Sequence, residues 1–251
     1  MKIVSLVPSI TEALFDLGLT DHEVIGRTKF CIHPQDKVRN VAIIGGTKNI
    51  NIDKIKALQP DIILANKEEN IKEQVEALMD DFKVIVTNVE TIEDNYYLLK
   101  NLGKLLGKEE RAQLFNLKIY EILNQTQLET PVKAAYLIWK NPYMTIGSDT
   151  FIHKIMAEIG FENVFKNKTR YPEITTEDLE KADVIMLSSE PFPFKEKHIE
   201  ELRVFYPEKK IMIVDGEAFS WYGTHIAKCE HYFKELLAEI QRMQQSIHSK
   251  H

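Results

Sequence analysis

NIDKIKALQPDIIL, residues 51–64, and TTEDLEKADVIM, residues 175–186, are two copies of one pattern. Each opens on a small polar residue and places an acid, Asp53 or Glu177, in a first helical turn. Each then breaks, at Pro60 or Ala182, and enters a run headed by Asp and filled with β-branched and aliphatic residues. A short helix feeding a buried strand is the simplest reading of both. The order continues outward. Lys83–Thr87 leads into a helical pattern around Tyr97–Leu106, and Lys210–Val214 leads through a loop into another around Ile226–Ile240.

Lys2–Val7 and Ala134–Trp139 head the two series as further apolar runs, giving strands that alternate with helices through both halves. That alternation predicts an α/β fold with mostly parallel sheets. Between the halves, Lys108–Gln125 carries Glu109 and Glu110 in its first turn. Leu114, Leu117, Tyr120, Ile122 and Leu123 then form an apolar stripe, and Pro131 follows the pattern. One helix of about 27 Å is expected there. The predicted organisation is an N-terminal α/β lobe (1–107), a single long backbone helix (108–126) and a similar C-terminal lobe (127–251), with a ligand cleft between the lobes. Loops at the carboxyl ends of the parallel strands would line that cleft.

The 251 residues include 32 Lys and Arg against 38 Asp and Glu, a mildly acidic balance with no basic stripe, so nucleic acid is not an expected partner. Cys31 and Cys229 stand far apart, which points to neither a disulfide framework nor a thiolate metal site. No apolar run approaches the roughly 20 residues of a membrane span, and Ile3–Pro8 is too short for a signal peptide. As written the sequence reads as cytoplasmic and monomeric; a signal or lipid anchor ahead of it would make the protein periplasmic or membrane-anchored.

The segment DGEAFSWYGTH, 215–225, reads as a strand-end loop with three large aromatics. Trp221 and Tyr222 either stack on a flat ligand or cap the lobe core, and Phe219 reads as packed beneath them. Trp139, at the end of its strand, is a second stacking residue, and the two tryptophans are expected to face one another across the cleft. Ser9 and Thr11 begin a helix, where such residues cap free amides; the same amides suit an anionic ligand group. Lys67, with Arg27 and Lys29, could meet carboxylates or phosphates, against the plainer reading of solvated charge. His33 and His225 lack HxxxH or HxH spacing and read first as hydrogen-bonded loop residues, with direct ligation of a transition metal as the alternative. His153 reads as structural, and His248 and His251 as parts of a polar tail. Gly45-Gly46-Thr47-Lys48 lacks phosphate-loop spacing. No GxSxG, HExxH or dinucleotide fingerprint is present, so no catalytic residues are assigned and an enzyme is not expected.

IVSLVPSITEALFDLG, EVIGRTKFCIHP, NINIDKIKALQPDIILA, IGSDTFIHKIMAEIGFENVF and YPEITTEDLEKADVIML occur in that order over most of the chain. In this the sequence resembles the class III substrate-binding proteins of ABC importers, the helical-backbone receptors for vitamin B12 and ferric siderophores. The resemblance implies a two-lobed receptor that holds a corrinoid, haem-like or ferric chelate as a non-covalent ligand. It implies docking to a permease through Asp53 and Glu177, and ligand contacts from Ser9, Phe30, His33, Lys67, Trp139, Trp221 and Tyr222. Lys67 stands where the B12 receptors carry an aromatic and Phe30 where they carry Tyr. Glu217 and Trp221 replace an Asp and an Arg. Other readings are a cytoplasmic cofactor-handling protein or enzyme on the same scaffold, or a receptor for a bare transition-metal ion.

Overall fold

The structure, a computed structural model, describes residues 1–248; His251 lies outside the described residues. The chain divides into two compact units. The first comprises Met1–Val89, Glu93–Leu117 and Tyr222–His225. The second comprises Glu90–Ile92, Lys118–Trp221 and the described chain from Ile226 onward.

The first unit contains β1 (Ile3–Ser5), α1 (Pro8–Asp16), β2 (Val24–Arg27), α2 (Gln35–Val38), β3 (Ala42–Ile43), α3 (Ile52–Leu58), β4 (Ile62–Asn66), α4 (Lys72–Met79), β5 (Val84–Thr87), α5 (Ile92–Leu106) and the start of α6 (Glu109–Gln125). Its five strands lie in the order β3-β2-β1-β4-β5, all parallel. β1 is central and buried throughout, as its run of apolar residues requires when helices cover both faces of a parallel sheet. Val4, Leu6, Ile44, Ile55, Ile63 and Leu78 share one core cluster. Removing such a side chain to Ala costs about 2–5 kcal/mol. Helix α3 starts where Asn51 accepts the amide of Lys54 at 2.9 Å and stops where Gln59 turns left-handed.

The Gly45–Lys48 stretch is a tight turn. Gly45 has φ +114°, and a Cβ there would stand 2.4 Å from the Asn49 carbonyl oxygen. Its glycine is a steric requirement of the turn, and Asn70 Nδ2 donates to the Thr47 carbonyl at 3.1 Å to hold it.

The second unit contains the rest of α6, then β6 (Val132–Trp139), β7 (Tyr143–Thr145), α7 (Phe151–Glu158), β8 (Phe161–Asn163), β9 (Glu173–Ile174), a 3-10 turn (Glu177–Lys181), β10 (Val184–Ser188), α8 (Glu196–Arg203), β11 (Lys210–Val214), α9 (Gly216–Ser220), a 3-10 turn (His225–Lys228) that begins with the last residue of the first unit, and α10 (Glu230–His248). Its sheet runs β11-β10-β6-β7-β9, with β8 on the first residues of β6. β10 is parallel to both neighbours, whereas β7 is antiparallel to β6 and β9. Leu137, Leu179, Ile185, Leu187, Leu202 and Ile211 belong to its core. The predicted repeat therefore holds in the strands that carry it, since β1, β4 and β5 correspond in sheet order to β6, β10 and β11.

Several local expectations are corrected. The second copy of the acidic-started helix is a 3-10 turn over Glu177–Lys181, closed by three-residue bonds from the Leu179 amide to the Thr176 carbonyl at 3.0 Å and from the Ala182 amide to the Leu179 carbonyl at 3.1 Å. The segment after β11 holds the one-and-a-half-turn helix α9, because Asp215 caps it by accepting the Glu217 amide at 3.0 Å. The helix expected from Ile226 begins at Glu230, after the 3-10 turn. Neither Ser9 nor Thr11 caps α1: Val7 is its N-cap, Pro8 occupies its first turn, and the Thr11 hydroxyl turns back to the Val7 carbonyl at 2.9 Å. In α6 the apolar residues divide between two faces. Ala112, Ile119, Ile122 and Leu123 are buried, while Leu114, Leu117 and Tyr120 are exposed.

Candidate functional site

In the second unit, the parallel order β11-β10-β6 brings three strand carboxyl ends side by side. Trp139 ends β6, Ser189 and Glu190 follow β10, and Asp215 to Trp221 follow β11. Trp139 is 40% exposed, high for a tryptophan. It is held edge-on by Phe192, with ring centroids 5.6 Å apart and an interplanar angle of 69°. Phe192 in turn packs against Phe194 at 4.7 Å and His198 at 5.4 Å, so the indole stands on a ladder of rings. Such edge-to-face contacts fix ring orientation as well as burying area.

His198 Nδ1 accepts the Lys195 amide at 2.8 Å at the start of α8, and burial pushes its pKa below the ordinary 6.5. The ladder therefore rests on a helix terminus that needs a neutral imidazole.

Trp221 is only 8% exposed. Its Nε1–H donates to Glu190 Oε1 at 3.2 Å, and the Ser220 hydroxyl donates to the same oxygen at 2.8 Å. Burial pushes the Glu190 carboxyl above the usual carboxylate range; Glu217 and Asp215 add to the shift, and the two donors oppose it. Gly216 is required beside it, because a Cβ would come within 2.5 Å of Glu190 Cγ and 2.6 Å of Ser188 Oγ. Asp215 and Gly216 are anchored through their amides, to the Tyr232 hydroxyl at 2.8 Å and Ser189 Oγ at 2.9 Å. Phe219 is fully buried against Tyr136 and Phe233, as expected.

The first unit presents a second group of strand-end residues. Tyr222 is 6% exposed, next to Gly223, at which a Cβ would lie 3.3 Å from the Ser9 carbonyl oxygen, and burial pushes the Tyr222 pKa well up. Ser9 is itself buried. His225 Nδ1 lies 2.7 Å from Glu12 Oε2, with the Glu12 side chain 3% exposed, and the His33 ring centroid is 6.1 Å from that of His225. Cys31 receives the Thr11 hydroxyl at 3.0 Å in a buried pocket that pushes its thiol pKa up. Phe30 is half-exposed under the Lys29 ammonium at 5.0 Å. Lys67 is exposed just beyond β4.

Thus Ser9 and the Tyr222–Gly223 segment meet, and His33 and His225 meet, all within the first unit. Trp139 and Trp221 belong together in the second unit, so the expectation that they look from opposite lobes is corrected: β6 and β11 are strands of one sheet. Asp53 is exposed in the first turn of α3, and Glu177 is exposed at the start of its 3-10 turn, where its own backbone amide holds its carboxyl below the usual range. His153 is structural as expected, its Nδ1 3.3 Å from Asn163 Nδ2. Glu190 and Phe192 were not singled out in the sequence. The bond that gives Glu190 its place spans 31 residues, so no local pattern marks it.

Grooves of about 720 Å³ between β11 and α10 and about 600 Å³ between β5 and α5 follow sheet edges rather than these strand ends. Among the described residues no group of three or more His, Cys, Asp or Glu side chains is placed to hold a metal ion, and no helix is long and apolar enough to cross a membrane.

A family model described as periplasmic binding protein matches residues 3–198. An uncharacterized ABC transporter substrate-binding lipoprotein of Bacillus subtilis is 28% identical over 193 residues, which is 72% of this chain and 60% of that protein. The matched region thus spans less than two thirds of that relative. A vitamin B12-binding protein of Salmonella typhimurium is 26% identical over 184 residues, covering 71% of this chain and 68% of its own. The crystal structure of the periplasmic heme binding protein HutB of Vibrio cholerae shares the fold, with a TM-score of 0.79 at 20% identity over 94% of this chain and 98% of that one.

Proposed function

This chain belongs to the periplasmic binding protein family, and from that premise we propose that it is a substrate-binding protein for a small metal chelate, a corrinoid or an iron chelate such as haem or a ferric siderophore. The observation that carries the reading is Trp139. A large ring stands 40% exposed at a strand carboxyl end, braced by Phe192, where it offers a flat face at little further entropic cost. Ser9, Phe30, His33, Lys67, Trp139, Trp221 and Tyr222 are proposed as ligand contacts, as the resemblance implies. Glu190 and Phe192 join them.

The names of the relatives, a B12-binding protein and a substrate-binding lipoprotein of an ABC transporter, support delivery to an importer. In this reading the receptor acts as a monomer outside the membrane, and Asp53 and Glu177 dock it to arginines of a permease. Catalysis has no place in it. Equilibrium dialysis of the purified protein against dicyanocobinamide, hemin and a ferric siderophore tests capture. Fractionating cells that express the gene separates a receptor from a cytoplasmic handler or enzyme on the same scaffold.

A second reading, direct capture of a bare transition-metal ion, is favoured by the His33 and His225 pair. It has two imidazoles where a closed site needs about four ligands. Metal analysis before and after chelator treatment decides it, since stoichiometric metal lost together with stability would support the bare ion.

A further inference from the structure

Glu190 is fixed through one oxygen and open through the other. Oε1 takes both donors, Ser220 Oγ at 2.8 Å and Trp221 Nε1 at 3.2 Å. Oε2 takes no protein donor among the described residues, and it is absent from the sealed polar atoms that lack a partner, so it reaches solvent. The backbone beneath is pinned as well: Ser188 Oγ donates to the Glu190 carbonyl at 2.6 Å, and Gly216 lies close enough that no side chain fits between. A carboxylate held this way presents an acceptor in a set direction without losing rotamer freedom when something binds.

Its neighbours define what that acceptor suits. Phe192, two residues on, meets the Trp139 indole edge-to-face and its amide donates to the Ile138 carbonyl at 3.3 Å, so the short segment that carries the open carboxylate oxygen is tied to the end of β6 that carries the aromatic surface. The titratable groups facing Glu190 are Asp215, the N-cap of α9, Glu217 within α9, and the Tyr136 hydroxyl of β6, which bonds Ser188 at 3.1 Å; the two on the α9 side are acidic. A ligand laid on the indole therefore meets negative charge and acceptors on this side, and a carboxylate placed there would be repelled in a partly dry setting.

Resting on the chelate-binding reading above, we propose that Glu190 is a specificity-determining residue, whose Oε2 accepts a hydrogen bond from a primary amide or ammonium on the rim of the chelate. The receptor thereby selects donor-bearing chelates over carboxylate-bearing ones. A bond to a charged acceptor, set against an unpaired and repelled carboxylate, is worth about ten- to a hundredfold in affinity.

The test compares matched probes. Cobyrinic acid carries carboxylates where its amidated counterpart carries primary amides, and hemin pairs with a porphyrin bearing amides in place of its propionates. Binding is followed by tryptophan quenching at pH 7.5 for wild type and Glu190→Gln. Gln keeps an acceptor for Ser220 and Trp221 but turns an N–H2 group toward the ligand. Wild type is expected to favour the amide member of the pair it binds by at least tenfold, and E190Q to lose or reverse that preference. Wild type alone supplies a second readout: the preference narrows as pH falls and the carboxyl takes up a proton, so a misfolded variant does not remove the test. A preference unchanged in E190Q and flat with pH overturns the role of Glu190 while leaving chelate capture standing. Failure of wild type to bind either pair at micromolar concentration overturns both.

Discussion

The indole N–H of Trp221 meets Glu190 Oε1 at 3.2 Å across 31 residues of sequence. That bond joins the connection after β11 to the end of β10 and settles the orientation of the ring. Replacing Trp221 by Phe keeps an aromatic and removes the donor, leaving Ser220 as the remaining donor to that oxygen. A loss of about 1–3 kcal/mol in unfolding free energy is expected, read from urea denaturation. A change below a few tenths would mean that water replaces the indole at no cost.

Gly216 is predicted to be among the least replaceable glycines. Ala there must displace Glu190 and Ser188, at about 1–3 kcal/mol. At Gly107, which has positive φ but nothing within 4 Å of a Cβ built there, Asn is expected to be tolerated within about 0.5 kcal/mol. Thermal melts of the two variants make the comparison.

The imidazole of His198 gives a pH dependence with a definite sign. Its folded pKa is below the ordinary 6.5, so the folded state binds fewer protons than the unfolded chain once pH drops past that value. Stability from this group is present above about pH 6.5 and is lost as pH falls below it; His153, also lowered by burial, adds in the same direction. Urea midpoints should decline between pH 7.5 and 5.5. His198→Gln, which can still accept the Lys195 amide from the third helical position, should flatten part of that decline. An equal slope in both proteins would remove His198 as its source.

Removing the imidazole from the Glu12–His225 contact leaves the Glu12 side chain, 3% exposed, without the ring nitrogen 2.7 Å from its Oε2. His225→Ala is expected to cost about 3 kcal/mol by chemical denaturation, and His33→Ala, which removes the ring contact but leaves the Glu12–His225 contact in place, about 0.5 kcal/mol or less. Equal losses would show that the pair acts through ring packing alone.

Reversing charge at the proposed docking positions should separate capture from delivery. Asp53→Lys together with Glu177→Lys is expected to leave chelate affinity unchanged, to lower the melting temperature slightly because both acids stand in first turns and the Glu177 carboxyl is held by its own backbone amide, and to abolish uptake in cells that depend on this receptor. Normal uptake by the double variant would exclude these acids from docking.

Of the strands that carry the repeat, β1, β4, β6 and β10 were legible because they lie inside their sheets, where burial on both faces writes a mostly apolar run, and the edge strands β5 and β11 because Val and Ile dominate them. β3, β7, β8 and β9 are two or three residues long and carry no such signal. Helix α6 was legible as a helix, but its stripe was not. Leu114, Leu117 and Tyr120 follow helical spacing as well as the buried Ile119 and Ile122 do, and only tertiary contact decides which face is covered. At the site, Trp139 could be found from its place at a strand end. Glu190 could not, because its significance depends on Ser220 and Trp221, which the chain returns from the next strand.

Tryptophan fluorescence of wild type and Trp139→Ala, titrated with dicyanocobinamide, hemin and a ferric siderophore, addresses chelate capture most directly. Saturable quenching of wild type by at least one of them at micromolar concentration is predicted, with affinity at least about tenfold weaker in the variant. Absence of quenching by all three, or the same affinity without Trp139, would contradict it.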